Sequence, residues 1–201
     1  DHFKFRVMKI ITKEIQENTS PQEALEVLKN GNKRFVNNLR AHRNLLAQVN
    51  DSGSGQWPIA TILSCIDSRA PVELVFDQGI GDIFAIRIAG NVLNADIVGS
   101  MEFACKIAGS KLLVVMGHSN CGAIKGACDH VEMGNLTGLL AKIQPAIYQE
   151  KTILDADKRN SKNNEFVEKV SILNIKNTVK SIIERSSLLE KMVENGEIGI
   201  I

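Results

Sequence analysis

Two short motifs hold the residues of this chain that could do metal chemistry. One spans Ser64–Arg69 and contains Cys65, and the other spans Gly117–Gly122 and contains His118 and Cys121. Each motif follows a short apolar run that ends in a small residue, so each lies where a buried strand gives way to a loop. Two thiolates and one imidazole suit a tetrahedral zinc ion, and three protein ligands leave a fourth position for water or substrate. The pattern therefore predicts an open, catalytic zinc site.

A carboxylate and a guanidinium stand close to the first ligand. Asp67 follows Cys65 by two residues, and Arg69 follows Asp67 by two more. Asp67 can either bind the metal or face away from it, and Arg69 decides between the two because its planar fork holds a carboxylate by two hydrogen bonds. We predict that the pair keeps Asp67 off the metal, and that Asp67 becomes the fourth ligand in a closed state when the pair breaks. The alternative is a surface Asp-Arg turn with no role.

The elements that must bring the two motifs together alternate along the chain. Residues 20–23 form a capping box with proline at the first helical position, which opens a helical arm over about 20–48. Apolar runs predict strands at 59–63, 83–88 and 111–116, with helices at 71–76 and 96–107 between them. This alternation implies an α/β fold with a central, mostly parallel sheet flanked by helices. Ligands collect beyond the carboxyl ends of such strands, where Cys65 and His118 both fall.

The remainder of the chain is predicted to be mostly helical. We expect helices at 136–147 and over about 165–195, a charged and exposed connection at 155–164, and the start of a strand at 196–201. Residues 1–7 have neither the apolar core nor the cleavage site of a signal peptide, so we interpret them as an expression-tag remnant before a native start at Met8. Residues 8–201 then form a single catalytic domain.

The two motifs together resemble the signature of the beta class of carbonic anhydrases, which is Cys-x-Asp-x-Arg followed by His-x-x-Cys. The similarity continues from about residue 56 to about residue 126 and includes the segments 77–79, 86–87, 89–91 and 122–126. The resemblance implies one zinc ion per subunit and reversible hydration of carbon dioxide to bicarbonate and a proton, by attack of zinc-bound hydroxide. It also implies a homodimer or homotetramer with its sites at the dimer interface.

The resemblance also suggests residues around the substrate. Gln56 occupies the position of a glutamine that donates to the substrate oxygen in the plant-like, type I subclass. Ile62 stands where the bicarbonate-inhibited subclass has tryptophan, so no allosteric bicarbonate site is expected. The pocket positions are Phe84, Ala89, Phe103 and Gly122. Phe103 replaces a tyrosine of many plant-like members, which puts a tyrosine-linked proton relay in doubt. On the residues alone, Gln56 reads as a polar loop residue, and Phe84 and Phe103 read as core.

Composition narrows the possible partners. The formal charge is +1 without a lysine-arginine block, so no nucleic-acid partner is expected, and no apolar run is long enough to span a membrane. Cys105 and Cys128 are interpreted as small buried hydrophobic residues in a reducing cytoplasm, with the periplasm as the alternative. His42 and His130 are candidates for a proton shuttle, although a solvated histidine is the commoner case.

Two other functions remain open from the sequence. One is hydrolysis of carbon disulfide or carbonyl sulfide by an enzyme that shares this fold and these ligands. The other is a non-catalytic, zinc-stabilised binding protein, which predicts a closed site with four ligands or a blocked pocket.

Overall fold

The fold is organised by a four-stranded parallel sheet, as seen in a computed structural model that describes residues 8–201. The sheet has the order β2-β1-β3-β4, and all three pairings among the described strands are parallel. The strands are β1 (Ala60–Ser64), β2 (Ile83–Arg87), β3 (Leu112–Met116) and β4 (Gly199–Ile200). The predicted α/β class with a parallel central sheet is confirmed. The segment 1–7, with its predicted tag, lies outside the described residues.

The strands form where apolar residues can be buried on both faces of the sheet. Every residue of β1 is buried, which is typical of a parallel strand covered on both sides. Ile62 packs in one hydrophobic cluster with Leu28 of an N-terminal helix, whereas the next residue, Leu63, packs in another with Met101 and Ile182. Successive side chains of a strand point to opposite faces, so helices cover both faces of this sheet.

Ten α-helices surround the sheet in the described part of the chain. They are α1 (Lys13–Glu17), α2 (Pro21–Val36), α3 (Leu45–Asp51), α4 (Val72–Val75), α5 (Ala95–Glu102), α6 (Gly122–Cys128), α7 (Gly134–Ala141), α8 (Gln144–Gln149), α9 (Asn164–Arg185) and α10 (Ser187–Glu194). A π-helical turn, Phe103–Ile107, continues α5. Among residues 8–201, none of these helices combines the length and apolar character needed to cross a bilayer.

The structure divides each of three predicted helical runs into two helices. The arm at 20–48 is α2 and α3, because Asn37 ends α2 and Asn38 adopts a left-handed conformation with φ of 54°. The run at 136–147 is α7 and α8, where Pro145 lies in the first turn of α8. The run at 165–195 breaks at Ser186, which is extended and caps α10 through its hydroxyl.

The connection after α8 is closed by an ion pair between Arg159 and Glu150, and the Arg159 side chain holds it against the core. Arg159 donates to the Glu150 carboxylate at 3.0 Å and to the backbone carbonyls of Glu150, Ile153 and Ile147. Its guanidinium also lies 4.7 Å from the ring centre of the fully buried Phe166. The connection at 155–164 was predicted to be exposed, but it contains a half-buried arginine. This arginine packs against Phe166 at the edge of the hydrophobic cluster that includes Cys65 and Cys121.

Candidate metal centre

The three candidate ligands meet at the carboxyl edge of the sheet. Cys65 directly follows β1, His118 lies two residues beyond β3, and Cys121 precedes the first residue of α6. One ligand atom from each residue lies within 4.8 Å of the others, and the two sulfur atoms are 3.9 Å apart. The parallel register aligns Ser64 with Met116, so the residues that follow β1 and β3 emerge side by side. Topology therefore brings together residues that are distant in the sequence.

His118 presents a free ring nitrogen to the two sulfur atoms. Its Nδ1 lies 2.8 Å from the carbonyl oxygen of Ser119, which assigns the proton to Nδ1 and leaves a lone pair on Nε2. Nε2 is buried and has no hydrogen-bond partner among residues 8–201. A buried polar atom without a partner is costly, and a metal ion would satisfy it. The donor set and this nitrogen fit a tetrahedral zinc ion with one open position.

The two thiols lie in surroundings that favour a cation between them. Burial raises the pKa of the Cys121 thiol, the neighbouring Cys65 raises it further, and the backbone N–H groups of Ile124 and Ala123 act in the opposite direction. Cys65 Sγ accepts a hydrogen bond of 3.4 Å from the backbone N–H of Gly90. Two adjacent thiolates repel each other in a buried site, and a divalent cation removes that repulsion.

Asp67 and Arg69 form a two-pronged ion pair beside the ligands. Arg69 Nε donates to Oδ1 at 2.9 Å, Nη2 donates to Oδ2 at 2.7 Å, and the backbone N–H of Arg69 also donates to Oδ1. These bonds hold the pKa of Asp67 well below its usual range. Asp67 Oδ2 lies 3.7 Å from His118 Nε2, which is too far for a hydrogen bond but close to the space between the ligands.

The Cys65 loop is held by a residue to which the sequence assigned no role. Arg87, at the end of β2, donates through Nε to the carbonyl oxygen of Cys65 at 2.9 Å and through Nη2 to the carbonyl oxygen of Asp67. The register places Arg87 opposite Ser64, so its side chain reaches the loop that follows β1. The feature of the sequence that could have identified Arg87 is a charged residue at the carboxyl end of a predicted strand.

The second motif contacts the first through Asn120. Arg69 Nη2 donates to the Asn120 carbonyl oxygen at 3.3 Å, and Lys125 Nζ donates to Asn120 Oδ1 at 3.0 Å. Asn120 has a φ of 52°, a left-handed conformation that asparagine tolerates better than most residues. The loop between His118 and Cys121 is therefore linked to the exposed Arg69 side chain by a hydrogen bond.

Two of the suggested pocket residues lie beside the ligands. Ala89 begins the short turn after β2, next to the Gly90 amide that bonds Cys65. Gly122 follows Cys121 directly, and a Cβ built on it would meet nothing within 4 Å. There is thus open space at the first residue of α6.

The other three residues lie elsewhere in a single chain. Gln56 is exposed and precedes β1 at its amino end, so the five-residue strand, ~17 Å long, separates it from Cys65. Phe84 pairs in register with Thr61, four residues before Cys65. The rings of Phe84 and Phe103 pack edge to face with centres 6.4 Å apart, and Phe103 is 52% exposed. The structure does not bring these three residues to the ligands of their own chain.

Comparison with known proteins agrees with this geometry. The sequence model of a family described as carbonic anhydrase matches residues 60–201. Carbonic anhydrase 2 of Mycobacterium tuberculosis is 32% identical over 190 residues, which are 92% of this chain and 87% of that protein. A solved β-carbonic anhydrase, CafA of Aspergillus fumigatus, aligns with a TM-score of 0.67 at 28% identity, covering 77% of this chain and 74% of that one. A β-carbonic anhydrase of Sordaria macrospora, described as tetrameric, has the same fold, with a TM-score of 0.64 at 24% identity over 75% of this chain and 77% of that one.

Proposed function

Because this chain belongs to the β-carbonic anhydrase family, we propose that it hydrates carbon dioxide reversibly at a zinc ion held by Cys65, His118 and Cys121. The observation that carries the proposal is the buried Nε2 of His118, which has no hydrogen-bond partner among residues 8–201, on a residue that places a ligand atom within 4.8 Å of those of the buried Cys65 and Cys121. When bound, zinc supplies a Lewis acid that makes water nucleophilic near neutral pH. A set of three ligands, rather than four, supports catalysis over a purely structural site.

In the proposed mechanism, the Asp67-Arg69 pair acts as a gate. Arg69 holds both carboxylate oxygens, so Asp67 is kept from acting as a ligand and can accept a hydrogen bond from a water beside it. Asp67 Oδ2 lies 3.7 Å from His118 Nε2, so a carboxylate released by Arg69 would already be near the ligand group and could close the site as a fourth ligand. Arg87 and Asn120 hold the backbone on either side of this pair.

We further propose that the active form is at least a homodimer, with Gln56, Phe84 and Phe103 contributed to the partner's site and a tetramer as the larger alternative. The support is that these residues lie away from the ligands of their own chain and that apolar side chains near them are open to solvent. Ile107 is 74% exposed and Phe103 is 52% exposed. Exposed apolar patches of this kind are typical of interfaces between subunits. Sedimentation at several concentrations tests the assembly, and a stable monomer with full activity would contradict it.

All four cysteines are buried and free of disulfides. This supports a reducing compartment, and we propose the cytoplasm.

The first experiment is stopped-flow hydration of carbon dioxide on protein of measured zinc content, followed from mildly acidic to alkaline pH. We expect activity that rises with pH and disappears when zinc is removed. Cys121→Ser should lose both zinc and activity, whereas Cys128→Ser should keep both, because Cys128 is equally buried but lies outside the ligand set. Wild-type protein with one zinc per chain and no hydration at any pH would refute the proposal, and carbonyl sulfide and carbon disulfide would then be tested.

A further inference from the structure

Helix α9 holds the turn that follows β2 by two buried side chains. Asn174 Nδ2 donates to the carbonyl oxygen of Gly90 at 2.8 Å, and Thr178 Oγ1 donates to the carbonyl oxygen of Asn91 at 3.2 Å. Asn174 is 3% exposed and Thr178 is 5% exposed. The two side chains are one helical turn apart on the same face of α9, so they contact consecutive peptide groups of the turn.

The same turn contacts the sulfur of a candidate metal ligand. The backbone N–H of Gly90 donates to Cys65 Sγ at 3.4 Å. Gly90 has a φ of 68°, and a Cβ on it would lie 2.9 Å from Ile143 Cδ1 and 3.2 Å from Ala123 Cβ. The turn is therefore confined by apolar groups on one side and held by hydrogen bonds to α9 through its carbonyl oxygens. The direction of the Gly90 N–H depends on both constraints.

We propose that Asn174, assisted by Thr178, is a positioning residue for the metal ligand Cys65. Asn174 holds the Gly90–Asn91 peptide by its carbonyl oxygen and thereby fixes the backbone at Gly90, so that the N–H of the adjacent Ala89–Gly90 peptide stays on the sulfur, where it stabilises negative charge and sets the donor strength of the thiolate. Residues that orient a ligand in this way commonly change metal affinity by 10- to 100-fold when they are replaced. The inference rests on the proposed metal site and adds to it a residue from a helix that supplies no ligand.

The test is the replacement Asn174→Leu, which keeps the approximate size of the side chain but removes the donor. Zinc affinity is measured by chelator competition, and the thiolate-to-metal charge-transfer band is measured on the cobalt(II) form. We expect zinc to bind about tenfold more weakly, near the lower end of the range because Asn174 acts through Gly90. We expect the band to move to longer wavelength, because a thiolate that has lost an N–H donor gives up an electron more easily.

Two further variants keep the test decisive. Asn177→Leu is the matched control, because Asn177 lies on the same helix and lines the cleft beside Asn174 and Thr178; it should leave affinity and band unchanged. Thr178→Val removes the weaker donor and should shift both in the same direction but less, and it carries the test if Asn174→Leu does not fold. A folded Asn174→Leu, or in its place Thr178→Val, with wild-type affinity and spectrum would overturn the inference. Failure of the wild-type protein to bind zinc or cobalt would instead refute the proposed function.

Discussion

The replacement Glu150→Gln should destabilise the protein by removing the charge from a buried hydrogen-bonding site. The Glu150 side chain is 2% exposed, and its carboxylate accepts from the backbone N–H groups of Thr152 and Ile153, the Thr152 hydroxyl and Arg159. Burial by itself raises the pKa of Glu150, but these donors and the charge of Arg159 outweigh it and lower the pKa from 4.5 to about 2. A shift of this size corresponds to about 3 kcal/mol of folding free energy at neutral pH.

The dependence on pH has a definite sign. Because the pKa is lower in the folded state, the stabilisation is fully present above about pH 4.5 and is lost as the pH falls toward 2. We expect urea unfolding at equal protein concentration to show wild type more stable than Glu150→Gln by about 3 kcal/mol from pH 7 to 5, with the gap narrowing below pH 4.5.

The matched control is Glu184→Gln. Glu184 forms an ion pair with Lys180 at 3.3 Å, but its side chain is 56% exposed. Exposed pairs on a helix contribute little, so this replacement should change the free energy of unfolding by less than about 0.5 kcal/mol. A gap between wild type and Glu150→Gln below about 1 kcal/mol at pH 7, or one that stays constant down to pH 3, would refute the reasoning.

Three other predictions concern the turn, a cap and the buried thiols. Gly90→Ala should lower the free energy of unfolding by about 2 kcal/mol or more, because of the positive φ and the contact with Ile143, whereas Gly99→Ala, with open space around it in α5, should stabilise by about 0.5–1 kcal/mol in urea unfolding. Ser20→Ala removes the hydroxyl that accepts from the N–H of Glu23 and should cost about 1 kcal/mol in the same assay; no loss would mean that the cap is redundant. Cys105 and Cys128, whose burial raises the pKa of each thiol to about 12, should resist alkylation at pH 8 until the protein is unfolded, as read by peptide mass spectrometry, and rapid labelling of the native protein would contradict their burial.

The grouping of the candidate ligands could be predicted from the sequence because it depends on a general property of parallel sheets. Cys65 and His118 each follow a buried apolar strand, and parallel strands end at the same edge. The strand positions were predicted to within a few residues for the same reason. The helix breaks were missed at Asn38 and Ser186, where a left-handed residue and a serine cap interrupt apolar patterns that continue beyond them.

The residues that support the ligands could not be predicted from local patterns. Asn174 and Gly90 are 84 residues apart, and nothing in the helical pattern of α9 indicates which backbone group its amide contacts. Likewise, nothing in the sequence around Arg87 indicates that it contacts a loop 20 and 22 residues away. The resemblance suggested roles for Gln56, Phe84 and Phe103, but a single chain does not place them at its own ligands, and their roles stay predictions about an assembly.

The candidate ligands follow two different strands, and this affects the order of events during folding. Cys65 and Cys121 are 56 residues apart, with β2 and α5 between them, so the unfolded chain contains no preformed three-ligand site. The site is completed only when β1 and β3 have paired, and such non-local parallel pairing is slow to form. We therefore expect a metal ion bound at the proposed site to be captured late, by a chain that has already built its sheet. Metal binding would then stabilise the finished fold, by an amount that increases with the concentration of free metal.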